Sequence, residues 1–181
     1  MAEQLAPNLW RLEIPLVGNP LKTLNSYLLC GGDRSLLIDT GFRQDPCREA
    51  MNAQLEEIGA DRDRTDLFLT HLHSDHTGLA PELIRPGRRI YISRDDGAGM
   101  REGLRGDYWE RVYQSYVREG FPQEEIEQLR DRNPAQGAGP RSRQGPFVYL
   151  EDGDPLNYGG CLLRCILTPG HTPGHLCLFA P

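Results

Sequence analysis

The sequence predicts a mixed α/β (α+β) fold. Short apolar runs of strand length, bounded by Gly, Pro, Asn and Asp, occupy the first third of the chain and return after residue 146. Segments with apolar residues at helical spacing lie between them. A chain of 181 residues with 38% hydrophobic and 25% charged residues can build one substantial core. We therefore expect a single domain over residues 1–181.

The first third of the chain predicts a strand meander followed by a helix. Three apolar runs separated by turn signals predict neighbouring antiparallel strands at residues 9–17, 26–30 and 35–38. Apolar residues then recur at helical spacing, and Gly59 supplies a C-terminal stop. A helix is therefore expected over about residues 46–58.

The rest of the chain alternates helices and strands. Strands are predicted at residues 66–70, 89–93, 147–151, 161–167 and 176–179. A short helix is predicted at residues 78–84, and two amphipathic helices are divided by Gly120, Phe121 and Pro122. Residues 133–146, which are rich in Gly, Pro, Arg and Gln, predict a long loop.

Charge and hydropathy argue against several kinds of partner. The formal net charge is -6 and the sequence pI is near 5.4, so neither nucleic acid nor an anionic membrane surface is an expected partner. The sequence contains neither an apolar run of transmembrane length nor a signal-peptide pattern at its start, which predicts a cytoplasmic protein. Five cysteines without a C-x-x-C pair are interpreted as mostly buried thiols.

All five histidines lie in two short segments, residues 71–76 and 168–175. At the end of a strand, residues two apart point to the same face, so His71, His73 and Asp75 are expected to project together. The turn that follows brings His76 beside them. The second segment combines two glycines with two prolines, which suits a rigid loop that can deliver His171.

This set of side chains predicts a metal site. Several imidazoles with a carboxylate suit zinc best, with iron or manganese as further candidates, whereas calcium and magnesium prefer oxygen ligands. Zinc at such a site would activate water at neutral pH and polarise a carbonyl or phosphoryl oxygen.

Three motifs resemble those of the metallo-β-lactamase superfamily. Residues 71–76, His-Leu-His-Ser-Asp-His, match its H-x-H-x-D-H signature, and residues 37–41 are similar to its strand-end Asp-x-Gly element. Residues 168–175, Thr-Pro-Gly-His-Thr-Pro-Gly-His, resemble its third motif as found in glyoxalase II. The resemblance implies a four-layer αββα sandwich with metals at one edge of two packed sheets. Residues 94–146 lie outside the shared pattern and are interpreted as a helical and flexible-loop insertion.

The resemblance also implies roles for individual residues. His71, His73 and His171 would form a first metal site, while Asp75 and His76 would contribute to a second. Asp39 is interpreted either as a turn residue or as a residue that holds the metal loop, and His175 as a loop-supporting residue or a buried polar one. In the family a bridging carboxylate and one further histidine follow the third motif, so we expect a C-terminally incomplete fold. Its exposed apolar surface would favour homo-oligomers.

The function expected from these features is that of a zinc-dependent hydrolase. It would cleave a thioester, a lactone or another ester of a small-molecule substrate, with Asp75 as the catalytic residue that orients the attacking water. Three alternatives stay open: an iron-dependent oxidoreductase of the same fold resembling persulfide dioxygenases, a nuclease, and a non-catalytic metal-binding fragment. The aromatic residues at positions 108–121 are interpreted with equal weight as a lid over the metal or as packing for their helix.

Overall fold

A computed structural model describes residues 1–102, 108–132 and 146–180, and these stretches contain ten strands and six α-helices. The strands are β1 (Glu3–Ala6), β2 (Leu9–Pro15), β3 (Thr23–Leu29), β4 (Ser35–Ile38), β5 (Thr65–Phe68), β6 (Ile90–Ser93), β7 (Phe147–Leu150), β8 (Pro155–Tyr158), β9 (Cys161–Leu167) and β10 (Leu176–Phe179). The helices are α1 (Asp45–Ile58), α2 (Ser74–Thr77), α3 (Ala80–Leu83), α4 (Arg94–Glu102), α5 (Tyr108–Arg118) and α6 (Gln123–Arg132).

Seven strands form the larger sheet, in the order β1-β2-β3-β4-β5-β6-β7. Strands β1 to β4 pair antiparallel, and β4 to β7 pair parallel. The carboxyl ends of the parallel strands therefore meet at one edge of the sheet, where ligands are usually bound in sheets of this kind. The smaller sheet is antiparallel, in the order β10-β9-β8.

The two sheets pack face to face around an apolar core. Residues of both sheets contribute to it: Leu29, Leu36, Phe68, Tyr91, Leu150, Leu156, Tyr158, Leu163, Cys165 and Leu176. A second core fills the space between the other face of the larger sheet and the helices, with Cys47, Met51 and Leu55 contributed by α1. The described residues thus confirm the predicted mixed α/β class, with two packed sheets and helices against the larger one.

The outer face of the smaller sheet is solvent-exposed in the part of the chain that the structure describes. Leu162 is 61% exposed and Phe179 is 51% exposed. Both lie on strands that alternate buried and exposed residues. None of the helices in the described stretches combines the length and apolar character needed to cross a membrane.

Most of the predicted elements are present. The strand meander is antiparallel as expected, and α1 ends at Ile58, directly before Gly59, whose left-handed φ of 73° terminates the helix. The two amphipathic helices correspond to α5 and α6, divided at residues 119–122. The predicted loop at residues 133–146 falls almost wholly on residues 133–145, which lie outside the described residues.

Four elements have no counterpart in the sequence-based prediction. One is helix α2, which carries Asp75 where the sequence predicted the continuation of a strand end. Strand β1 is short and largely exposed, and β8 begins with a proline, so neither shows the apolar alternation of a typical strand. Helix α4 was missed because Gly97 and Gly99 weaken its helical pattern. A Cβ at Gly97 would lie 2.4 Å from Cε1 of Tyr149, so the absent side chain lets α4 pack closely against β7.

Candidate metal centre

The site lies where the parallel strands of the larger sheet end. Asp39 follows β4, His71 comes three residues after β5, and Asp96 lies in the first turn of α4, directly after β6. The loop between β9 and β10 carries His171 to the same place. Three neighbouring strand ends of one sheet and one loop of the other therefore meet at the site.

Three of the predicted metal ligands converge. The ligand atoms of His71, His73 and His171 all lie within 4.8 Å of one another. Nδ1 of His73 is 3.0 Å from Nε2 of His171, although 98 residues separate them in sequence. Imidazoles at such separations can turn towards one ion, so the geometry is that of a three-histidine site.

Hydrogen bonds orient the ring of His71. The Thr70 hydroxyl donates to Oδ2 of Asp39 at 2.8 Å and lies 3.0 Å from Nδ1 of His71. Because that hydroxyl has one proton, it accepts from a protonated Nδ1, which leaves a lone pair on Nε2. Nε2 is buried and has no hydrogen-bond partner among the described residues. A buried imidazole nitrogen in this state is suited to binding a metal ion.

The electrostatics of the cluster favour neutral rings. Burial, reinforced by the neighbouring His76 and His73 rings, lowers the pKa of His71 from 6.5 to about 2. Burial likewise lowers the pKa of His73, with a further contribution from His171. Metal binding requires neutral imidazoles, so neither ring has to release a proton at neutral pH.

The predicted residues of a second site lie beside this cluster. Asp75 lies in the first turn of α2, and its Oδ2 is 3.7 Å from Nε2 of His76. The ring centroid of His76 is 4.0 Å from that of His71. The structure thus brings Asp75 and His76 next to the three histidines, and their ligation of a second ion stays a prediction.

Asp39 connects the strand end to the histidine loop. Its carboxylate accepts hydrogen bonds from the Thr70 amide and hydroxyl, and it lies 2.7 Å from Nδ1 of His76. Burial lowers the pKa of His76, but the hydrogen bond and the charge of Asp39, together with the charge of Asp75, outweigh it and raise the pKa overall. Asp39 also has a left-handed φ of 58°, so the turn and the loop-holding interpretations both describe it.

His175 has different surroundings from His171. Its Nδ1 is 2.7 Å from the Thr168 hydroxyl, and its carbonyl accepts from the Thr168 amide at 2.8 Å. These contacts close the loop between β9 and β10. The ring centroid of His175 lies 5.3 Å from that of His71, so the residue borders the cluster while its Nδ1 is engaged in holding the loop.

Sequence reasoning missed Asp96. This buried residue accepts hydrogen bonds from the Leu72 amide, the Thr172 hydroxyl and the Gly174 amide. The available signal was its position: an acidic residue just after a parallel strand that neighbours the strand leading to the histidine motif. The adjacent Asp95 gives the same sequence signal but is exposed, so the sequence alone could not tell them apart.

The fold and the histidine cluster together define a class of protein, the mixed α/β domains with a candidate metal site at the edge of two packed sheets. The family profile described as the Metallo-beta-lactamase superfamily matches residues 21–181. The chain therefore belongs to the metallo-beta-lactamase superfamily, and the resemblance inferred from its three motifs is confirmed.

Individual relatives are similar over nearly the whole chain. The Lactamase-like protein adaB of Aspergillus niger is 28% identical over 179 residues, which covers 97% of this chain and 41% of that protein. The atrochrysone carboxyl ACP thioesterase of Emericella nidulans is 26% identical, with coverages of 97% and 41%. A metallo-beta-lactamase family protein from Thermus thermophilus is 32% identical with a TM-score of 0.79, covering 97% of this chain and 56% of that one. The chain thus spans less than two thirds of each of these relatives.

Proposed function

We propose that this protein is a zinc-dependent hydrolase that cleaves a thioester or another ester of a small molecule. The observation that carries the proposal is the buried, unpartnered Nε2 of His71 beside the converging rings of His73 and His171. These three residues would hold the first zinc ion, and Asp75 with His76 would contribute to a second. When bound, zinc lowers the pKa of water to about 7 and polarises a carbonyl oxygen.

Asp75 would orient the attacking water and accept its proton. It lies in the first turn of α2, next to the histidine cluster and 3.7 Å from His76. A positioned carboxylate that moves a proton in the transition state contributes about 10²- to 10⁴-fold to the rate. Asp39 would act indirectly, by fixing Thr70 and His76 through its hydrogen bonds.

The substrate class is inferred from the chemistry of the site and from the relatives. A site that polarises a carbonyl and activates water suits acyl transfer to water, which covers thioesters, lactones and other esters. One of the relatives named above is an acyl-carrier-protein thioesterase. A thioester is therefore the first substrate to assay, and lactones are the second.

Metal content and hydrolysis test this proposal together. The purified chain, reconstituted with zinc, should contain at least about one ion per molecule, which a three-histidine site accounts for. It should hydrolyse a thioester, lose that activity with a chelator and regain it with zinc. Asp75→Asn should keep the first ion and lower kcat by about 10²-fold. The matched control is Asp95→Asn, which changes an exposed aspartate on α4 in the same way and should retain the wild-type zinc content and kcat.

Two results would contradict the proposal. Absence of metal after reconstitution, with the wild type indistinguishable from His71→Ala, would remove the metal site. Tight and selective uptake of iron, with oxidation of a persulfide and no ester hydrolysis, would assign the site to an oxidoreductase instead.

A further inference from the structure

The two loops that carry the histidines are connected by one buried carboxylate, Asp96. We propose that Asp96 is a positioning residue that holds both loops in the geometry that binds metal. The inference rests on the proposed metal site and adds a residue of α4 to it. Asp96 itself contacts the backbone and side chains next to the ligands.

The hydrogen bonds of Asp96 reach both loops. Its Oδ2 accepts from the Leu72 amide at 3.0 Å, and Leu72 lies between His71 and His73. The same oxygen accepts from the Thr172 hydroxyl at 2.7 Å, and Thr172 directly follows His171. Oδ1 accepts from the Gly174 amide at 2.9 Å. One carboxylate thus accepts hydrogen bonds from residues directly next to all three converging histidines.

The burial of Asp96 makes its hydrogen bonds important for the stability of the site. Asp96 is 0% exposed, and a buried carboxylate is costly unless its oxygens are hydrogen-bonded. A carboxylate can accept from all three donors at once, whereas the amide of an asparagine would set an N–H group against one of them. Leu72 is 24 residues from Asp96 and Thr172 is 76 residues away, so the contacts unite distant parts of the chain.

The close approach of Gly174 is a second, independent observation. A Cβ on Gly174 would lie 2.1 Å from Oγ of Ser93 and 2.8 Å from Oδ1 of Asp96. The loop can reach the carboxylate only because this position has no side chain. Gly174→Ala should therefore disturb the same hydrogen bonds from the opposite side, with Asp96 itself intact.

A positioning role and a purely structural role predict different measurements. If Asp96 only stabilises the fold, its replacement lowers the free energy of unfolding of the metal-free protein, and the affinity of the folded protein for zinc is unchanged. If it positions the ligands, the folded variant must order its two loops when metal binds, so its affinity falls. Replacing a residue that orients metal ligands typically weakens metal binding by about 10- to 100-fold.

The test measures the zinc affinity of the folded chain by competition with a chromogenic chelator, and the visible spectrum of the cobalt(II) form. Asp96→Asn, Gly174→Ala and Thr172→Val should each bind zinc more weakly, by about 10-fold or more, and should alter the cobalt spectrum. Two matched controls should retain the wild-type affinity and spectrum: Thr172→Ser, which keeps the hydroxyl, and Asp95→Asn, which removes the neighbouring exposed charge.

The outcomes separate this inference from the proposed function. A wild-type chain that binds no zinc contradicts the proposed function. A wild-type chain that binds zinc, with Asp96→Asn and Thr172→Val equal to it in affinity and cobalt spectrum, overturns the positioning role and leaves the metal site standing. Should Asp96→Asn fail to fold, the comparison of Thr172→Val with Thr172→Ser decides, and equal affinities in that pair overturn the inference.

Discussion

The two histidines of the loop between β9 and β10 lie four residues apart and have different neighbours. Nε2 of His171 is 3.0 Å from His73, inside the three-histidine group. His175 instead directs Nδ1 to the Thr168 hydroxyl at 2.7 Å. The same residue type at two positions of one motif thus has two kinds of surroundings, which favour a metal-binding role for His171 and a loop-supporting role for His175.

This assignment predicts unequal effects of two alanine substitutions. His171→Ala should remove a zinc ligand and lower the affinity of the folded chain for zinc by at least about 100-fold, since tight catalytic sites need three protein ligands. His175→Ala should keep the zinc stoichiometry, because the three-histidine group remains. Elemental analysis after dialysis against zinc-buffered solution checks both variants. Equal zinc loss in the two proteins would contradict the assignment.

Ion pairs between charged side chains connect the short elements around the site. Glu82 on α3 accepts from Arg43 at 2.8 Å and from Arg48 on α1 at 2.6 Å. Arg43 belongs to the loop that follows Asp39, so this network connects α1, α3 and the strand end that supports His76. Hydrogen bonds lower the pKa of Glu82 despite its partial burial, and the bond with Arg48 contributes more than the bond with Arg43.

The shifted pKa of Glu82 predicts a pH-dependent contribution to stability. Because the pKa is lower in the folded chain than the ordinary 4.5, the stabilisation is complete above pH 4.5 and is lost as the pH falls through the lower folded value. Glu82→Gln should therefore lower the free energy of unfolding by about 1 kcal/mol at pH 7, and the difference from wild type should fade in strong acid.

Urea unfolding of the metal-free chain at several pH values measures this difference. Glu49→Gln, which neutralises an exposed carboxylate on α1, is the matched control. Its free energy of unfolding should stay close to that of the wild type at every pH. A loss of stability in Glu82→Gln that grows as the pH falls would contradict the argument.

At the scale of the whole molecule, a buried polar network joins the two sheets at the end opposite to the metal centre. The Tyr158 hydroxyl of the smaller sheet donates to Oδ2 of Asp66 at 2.5 Å and lies 3.1 Å from the Tyr91 hydroxyl. Arg34 and the Arg89 amide complete the hydrogen bonding of Asp66. Burial, together with the hydrogen bond to Asp66, raises the pKa of Tyr158, so this tyrosine stays protonated as the donor.

We expect removal of the Tyr158 hydroxyl to lower the stability of the fold and to leave the metal site intact. Tyr158→Phe should lower the free energy of unfolding by about 1–3 kcal/mol, because a buried carboxylate loses a donor. Zinc stoichiometry should equal that of the wild type, since the network lies at the amino ends of the parallel strands and the site at their carboxyl ends. Urea unfolding and elemental analysis check the two statements, with Tyr27→Phe as a control outside the network. A loss of zinc in Tyr158→Phe would contradict them.

The sequence indicated the candidate ligands because their spacing within each motif is local. The motifs point to His71, His73 and Asp75 and, in a glycine- and proline-rich loop, to His171. The strand-end argument was wrong, because β5 ends at Phe68 and Asp75 lies on α2, so the turn and the helix, and not the alternation of a strand, bring these side chains together. Asp96 could not be recognised in this way, because its role depends on partners from two remote loops. Strand β8 could likewise not be predicted from the sequence, since its conformation follows from pairing with β9 rather than from its own residues.

The separation of 98 residues between His73 and His171 also bears on the order in which the chain assembles. Contacts between distant residues require large loops to close, and such closures come late in folding. A folding intermediate with only the larger sheet would possess His71 and His73 without their third partner. During refolding with cobalt(II), we expect the ligand-field absorbance to rise after most of the far-ultraviolet circular dichroism has recovered. Simultaneous recovery would show that the smaller sheet docks as early as the larger one forms.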